Sequence, residues 1–210
     1  MGIAVLIVLA YLIGSIPTAV WISKGVFGID IREHGSGNAG ATNTFRILGS
    51  KAGSVVMLGD MLKGFIAVKL SLLSPYPWDS MQITDLQVVL GLVAVVGHIF
   101  PIWADFRGGK GIATLFGMIL AIQPLVAASL VGVFLAMLFL TRYVSLSSIT
   151  ASLAFPLLIL FIFHEPEISY RLFAIATACL VVLTHHKNIS RLLNGNESKV
   201  GLFRKKKDRN

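Results

Sequence analysis

Residues 111–141, GIATLFGMILAIQPLVAASLVGVFLAMLFLT, carry no charged side chain over 31 consecutive positions, and their reading decides the fold. About 20 apolar residues in a helix cross a bilayer, so this stretch is long for a single span. Gln123 and Pro124 divide it near its middle. Proline lacks the backbone donor of the helical ladder and clashes with the preceding turn. Two readings follow: one kinked helix, or two short helices joined by a tight turn near Gln123.

Outward from this stretch, further apolar runs lie at about 3–22, 52–73, 86–104, 148–163 and 170–184. The whole chain of 210 residues is 55% hydrophobic and 13% charged. A soluble domain carries roughly 25% charged residues, so a water-soluble globule is excluded. Disorder is excluded too, because a chain this apolar buries enough surface to offset the entropy of ordering. A transmembrane β-barrel would show segments of about ten residues with alternating polarity, and these runs are continuous. The first run lacks a basic leader over Met1–Val8 and reads as a retained span. Gly2 is not in a myristoylation motif, since Leu6 stands where Ser or Thr is needed. The lone Cys179 sits in an apolar run and gives no disulfide framework.

Charge placement separates the two readings of 111–141. The chain has 18 Lys and Arg against 10 Asp and Glu. With seven spans, Lys24, Arg32, Arg46, Lys51, Arg107, Lys110, Arg142, Lys187, Arg191, Lys199, Arg204, Lys205, Lys206, Lys207 and Arg209 all share one side. Only Arg171 then faces the other side, with Lys63 and Lys69 inside the second span. With six spans the basic residues divide almost evenly, against the positive-inside rule. The predicted fold is therefore an all-α polytopic membrane protein of seven transmembrane helices. Its N-terminus is extracytoplasmic and its C-terminus cytoplasmic. Residues 1–197 form one domain, and 198–210 form a basic cytoplasmic tail suited to anionic headgroups. Nucleic acid is excluded as a partner, because the positive charge lies in short loops and a tail rather than on one soluble basic domain.

Three polar clusters interrupt the apolar chain, and this topology places all three on the cytoplasmic side. The first is Gly35-Ser-Gly-Asn-Ala-Gly-Ala-Thr-Asn-Thr-Phe-Arg46. It has the GxGxxG spacing, but no strand within a βαβ unit precedes it, so a dinucleotide fingerprint is rejected. An anion-binding nest fits better: glycines let backbone N–H groups converge near a helix start, with Ser36, Asn38, Thr42 and Asn43 as added donors and Arg46 as a bidentate partner. The second is Phe106-Arg-Gly-Gly-Lys-Gly111, following Gly97-His98-Ile-Phe-Pro101. Gly108 and Gly109 ahead of Lys110 again favour backbone donors beside a point charge. The third is His185-His-Lys-Asn188, running on through Arg191 to Glu197. On a helix, His185, Asn188 and Leu192 share a face.

Each cluster also has a plainer reading: a capped turn, an ordinary positive-inside loop and a basic juxtamembrane helix on anionic headgroups, respectively. His98, at a span end, fits a structural hydrogen bond at least as well as catalysis. Ser145, Ser147 and Ser148 either donate to a phosphate or cap the next helix. Asp60 and Lys63, one turn apart in the second span, read most simply as an intrahelical pair. No metal-ligand set and no cofactor motif emerge.

These residues resemble the three signature motifs of the bacterial acyl-phosphate:glycerol-3-phosphate acyltransferases. The likeness rests on Gly35 to Asn43 with Arg46, on Gly97-His98 with Pro101 and Phe106 to Gly111, and on His185-x-x-Asn188-Ile-x-Arg191-Leu-x-x-Gly195-x-Glu197. Tyr11-Leu-x-Gly14-Ser, Asp60-x-x-Lys63-Gly and Tyr143-Val-Ser-Leu-x-Ser148 also fit, so the match runs from about residue 11 to 197. The resemblance implies a monomeric enzyme of the bacterial inner membrane with a cytoplasmic site and no cofactor. Its reaction would transfer an acyl chain from acyl phosphate to the 1-hydroxyl of sn-glycerol 3-phosphate, giving lysophosphatidic acid for phospholipid synthesis.

The residues are compatible with that chemistry. The His-x4-Asp pair of soluble-type glycerolipid acyltransferases is absent, since Ala39, Trp103, Ser169, Ser190 and Arg191 follow the five histidines at that distance. An acyl phosphate is already activated, and its phosphate, with a second pKa of about 6 in related monoesters, is able to take the hydroxyl proton. Catalysis is then positioning and charge stabilisation. Arg46, Lys110 and Ser36 clamp phosphate, Ser148 adds a donor, and His185 and Asn188 orient the glycerol hydroxyls. The rival role is His185 as general base. An organophosphate transporter would need polar groups at mid-membrane and access from both faces, and no internal repeat supports one. A lipid-binding scaffold does not require so dense a set of phosphate donors.

Overall fold

The computed structural model describes residues 1–77 and 80–200. Ten α-helices succeed one another among them, without a strand: α1 (Ile3–Gly14), α2 (Thr18–Phe27), α3 (Ala41–Leu48), α4 (Ser50–Lys69), α5 (Met81–Ile99), α6 (Ile112–Ile122), α7 (Pro124–Thr141), α8 (Val144–Leu157), α9 (Ile168–Thr184) and α10 (His186–Leu193). The basic run Arg204–Arg209 lies outside the described residues.

The decisive stretch is two helices. Gln123 takes a non-helical conformation, and Pro124 starts α7 at its first position, where its missing N–H would have no helical partner anyway. Four helical stretches have the length and apolarity of a span: Ile3–Phe27, Met81–Ala104, Pro124–Thr141 and Val144–Ile162. A fifth is reached if α9 and α10 are joined across a bend of 61°. α4 carries two charges at its centre, and α6, with 11 residues, is about 16 Å long against a hydrocarbon core of about 30 Å. The bundle presents Leu125, Phe139, Leu140, Leu172 and Leu183 outward, each at least 60% exposed, which only a lipid solvent makes favourable over so many positions.

Inside, Phe155, Tyr170 and Phe173 pack edge to face or tilted, with centroids 5.5–5.9 Å apart, and tie α8 to α9. α4 and α6 cross so closely that only glycine fits. A Cβ on Gly64 would stand 2.1 Å from the Thr114 carbonyl oxygen, and one on Gly117 1.9 Å from that of Met61. This is the small-residue packing that lets helices associate in lipid.

The break between α1 and α2 at Pro17 frees a carbonyl at membrane depth, which must find a partner within the protein. The Ile16 carbonyl accepts the Thr18 N–H at 3.0 Å and, from α4, the Lys63 Nζ at 2.9 Å, while Lys63 pairs with Asp60 at 2.9 Å. The intrahelical pair expected of these two charges is present, and it also spans helices. The third sequence run, placed at 86–104, begins at Met81 and ends at Ile99 as a helix, because Pro101 disfavours helical geometry at Phe100.

Candidate active site

Asp30 caps a short turn at Ile31–Glu33 and holds Arg32 in a fork at 2.7–3.2 Å. The Arg32 guanidinium keeps the Asp30 carboxyl well below the usual carboxylate range, and Asp30 raises Arg32 in turn. Arg32 also donates to the Ala104 carbonyl at 2.9 Å, which fastens the loop after α2 to the turn after α5.

Within the first cluster the buried Asn43 is the organiser. Its Nδ2 donates to the carbonyls of Ile31 (3.1 Å) and His34 (2.9 Å), and its Oδ1 accepts the Ser36 N–H at 3.0 Å. By its motif Asn43 is a candidate phosphate donor. In the structure its donors are spent on the loop, so it shapes the site rather than facing it. Ser36 and Thr42 are exposed and Asn38 is partly so. No side chain caps α3, whose first-turn N–H groups therefore remain open to an anion. Thr42 and Arg46 share a face of α3 at i, i+4 spacing.

The second cluster folds back on the end of α5. The Gly108 N–H donates to the Ile99 carbonyl (3.1 Å) and the Gly109 N–H to that of His98 (3.2 Å). Glycines ahead of a lysine favour amides that point at a phosphate, but these two instead finish α5. The glycines are needed for close approach: a Cβ on Gly108 would sit 1.9 Å from the His98 carbonyl oxygen, and one on Gly109 2.3 Å from His98 Nε2. The same Cβ on Gly109 would be 3.0 Å from the Ala39 carbonyl oxygen, so the first and second clusters touch.

Lys110 leaves this loop toward the third cluster, where its Nζ donates to Asn188 Oδ1. Asn188 Nδ2 donates to Glu197 at 2.7 Å, Ser145 to the same oxygen at 2.8 Å, and Arg191 Nε to the other at 2.6 Å. Burial alone would raise Glu197, but the hydrogen bonds from Arg191, Asn188 and Ser145 outweigh it and hold the carboxyl below its ordinary value. Lys110 is pushed down to about 8, first by burial and then by the positive charges of Arg191 and Arg46, with Glu197 acting the other way. Three cations and one carboxylate thus share the site, leaving an excess of positive charge that an anion would neutralise.

His185 follows the last residue of α9. Its Nδ1 lies 2.8 Å from the Val181 carbonyl, which only accepts, so Nδ1 carries the proton and Nε2 presents a lone pair. Burial, and then the charge of Lys110, lowers its pKa to about 4, so the ring is neutral at physiological pH.

The structure joins Lys110, His185 and Asn188 in one electrostatic unit with Arg46 in range. Asn188, expected to orient glycerol hydroxyls, bridges Lys110 and Glu197. Ser148 is buried on the α8 face one turn past Ser145, with no side-chain hydrogen bond among the described residues, and Ser145 is the serine tied to the network. Arg191 and Glu197 stand in the third motif without a role of their own, and Ser145 reads by sequence as a phosphate donor or a helix cap; the structure instead ties Ser145 and Arg191 to Glu197. A lone carboxylate at the end of a basic cluster is the sequence signal for that role.

The family model for glycerol-3-phosphate acyltransferase matches residues 4–195. A glycerol-3-phosphate acyltransferase of Geobacillus kaustophilus is 45% identical, over 94% of this chain and 95% of that one. One of Bacillus subtilis is 46% identical, over 95% and 98% respectively. Among solved structures, the crystal structure of PlsY, an integral membrane glycerol 3-phosphate acyltransferase, in its glycerol 3-phosphate form superposes with a TM-score of 0.84 at 38% identity, covering 95% of this chain and 96% of that one. Its lysophosphatidic acid form gives 0.81, with 95% of each chain covered. With the apolar helices and their outward-facing side chains, this likeness makes the protein a multi-pass membrane protein. The chain belongs to the glycerol-3-phosphate acyltransferase family.

Proposed function

We propose that the protein acylates the 1-hydroxyl of sn-glycerol 3-phosphate with acyl phosphate as donor, releasing lysophosphatidic acid and inorganic phosphate on the cytoplasmic face of the bacterial inner membrane. The observation that carries this reading is the half-buried Lys110, its proton weakly held, among Arg46, Arg191 and a single carboxylate. The excess charge suits a phosphate dianion. Relatives named for this acyl acceptor, and a solved neighbour with glycerol 3-phosphate and lysophosphatidic acid forms, support it.

In the proposed mechanism Lys110 and Arg46 hold the phosphate of glycerol 3-phosphate, with Ser36 and the open first turn of α3 as further donors. Asn38, Thr42 and Ser148 would add further donors to it. Asn188 and Glu197 fix Lys110. His185 Nε2 accepts a hydrogen bond from the attacking hydroxyl and aligns it. The hydroxyl oxygen forms the new ester bond to the acyl carbon, the acyl–oxygen bond to phosphate breaks, and the proton passes to the departing phosphate. A phosphate with pKa of about 6 is a better proton acceptor than a ring at about 4, by roughly 100-fold, which favours His185 as an aligning group over His185 as base.

The reading includes seven spans with the N-terminus outside, action as a monomer, and contact of the basic tail with anionic headgroups. Purified protein in lipid bicelles, given labelled glycerol 3-phosphate with either acyl phosphate or acyl-CoA, tests the donor. Lysophosphatidate should form with acyl phosphate alone. Product from acyl-CoA alone, or from neither donor, would overturn the assignment.

A further inference from the structure

Four side chains unused by the proposed mechanism form one buried polar network beneath the Gly108–Gly111 loop. Asp60 is 1% exposed, Lys63 4%, His98 6% and Thr114 0%. Asp60 is fixed by Lys63 at 2.9 Å and by the Thr18 hydroxyl at 3.1 Å, and its Oδ1 lies 3.6 Å from His98 Nδ1. The same ring nitrogen is 3.2 Å from Thr114 Oγ1, in the first turn of α6. On its other side His98 meets the loop directly: its carbonyl accepts the Gly109 N–H at 3.2 Å, and its Nε2 borders Gly109 so closely that no Cβ fits between them. His98 thus touches both ends of the segment from Gly109 to Thr114, and that segment carries Lys110.

We infer that His98, braced by Asp60, is a positioning residue of the phosphate site: it sets the Gly108–Gly111 loop between α5 and α6 and thereby places the Lys110 ammonium against Asn188. Two neutral hydrogen bonds would be enough to hold a loop. The cost of keeping a charged pair in a lipid-embedded helix is harder to explain unless the geometry it fixes matters. Misplacement of a substrate-holding group by about 1 Å lowers turnover on the order of 100-fold, so a rigid bracket here has a functional return. The inference rests on the proposed role of Lys110.

The experiment is a double-mutant cycle on the full chain in bicelles, read by kcat/KM for glycerol 3-phosphate and by calorimetric binding of glycerol 3-phosphate. His98→Ala should lose roughly 10- to 100-fold in both, and His98→Asn, whose amide reaches the Nδ1 position, should recover to within about threefold of wild type. In a Lys110→Met background His98→Ala should cause no further loss. A loss of equal size in both backgrounds, or none in wild type, overturns the inference and leaves the reading of Lys110 standing. Wild-type affinity in Lys110→Met alone overturns both. Where His98→Ala does not fold, Thr114→Val removes only the hydroxyl facing Nδ1. It should give a smaller loss that also disappears with Lys110→Met, and an additive loss again overturns the inference.

Discussion

Raising the pH from about 7 to about 9 should lower kcat/KM for glycerol 3-phosphate roughly tenfold, with a midpoint set by Lys110. With its pKa near 8, the ammonium is about nine-tenths protonated at the lower pH and about one-tenth at the higher. An ordinary lysine, near 10.4, would lose less than about a tenth of its charge over the same range. The sign follows from the causes. Burial and the neighbouring Arg191 and Arg46 disfavour the charged form, so the proton leaves early as pH rises. A bound phosphate dianion opposes those cations, so the limb in kcat should lie at higher pH than the limb in kcat/KM. Glu197→Gln removes the one charge that supports the ammonium and should move the kcat/KM limb to lower pH. Initial rates in bicelles, buffered across this range and corrected for spontaneous donor hydrolysis, give the profile. A profile flat to about pH 9.5 would refute Lys110 as the phosphate-holding charge. A limb unmoved in Glu197→Gln would refute the electrostatic account of it.

His185, with its pKa near 4, should contribute no limb near pH 6.5: a limb there belongs to the substrate phosphates and should persist in His185→Gln, which lowers kcat without changing the shape of the profile, whereas a limb that vanishes in the variant would restore the histidine as general base. Gly117→Ala pushes a Cβ to 1.9 Å from the Met61 carbonyl oxygen, a backbone atom that no rotamer change relieves, and should cost about 1–3 kcal/mol in a thermal melt, whereas Gly132→Ala, with open space around it, should be neutral. Asp30 is held below its ordinary pKa by Arg32, so its contribution to stability is complete above about pH 4 and lost as pH falls through the lower folded value. Asp30→Asn should lower the melting temperature at neutral pH and abolish that part of the acid dependence.

How far the site was legible depended on what each residue does there. Lys110, His185 and Arg46 were found because a cation or an imidazole near a membrane surface has few other uses. Gly108, Gly109 and Asn43 belonged to the same motifs, yet their hydrogen-bonding groups turn inward. Composition distinguishes a donor-rich loop from an apolar one, but whether an amide meets a ligand or the Ile99 carbonyl depends on where the end of α5 lies. Glu197 stands in the third motif, but its role was not legible, because a carboxylate repels a phosphate and has no direct use beside one. Its value is to hold Ser145, Asn188 and Arg191 together, and none of those pairings is visible without the turn from α9 into α10.

The sequence by itself determined the solvent of this protein and its secondary structure. A chain with so little charge must face lipid, and in lipid a continuous apolar run must be helical to satisfy its own backbone. It also determined the break at Gln123-Pro124, because proline marks the place and only two helices there keep the basic residues on one side. Tertiary structure alone decided that the α1–α2 break is stabilised by Lys63 from α4, that Asp60 reaches His98, and that Asn188 joins Lys110 to Glu197. Each of these joins residues from separate parts of the bundle, and buried polar groups take whichever partner the packing brings within reach.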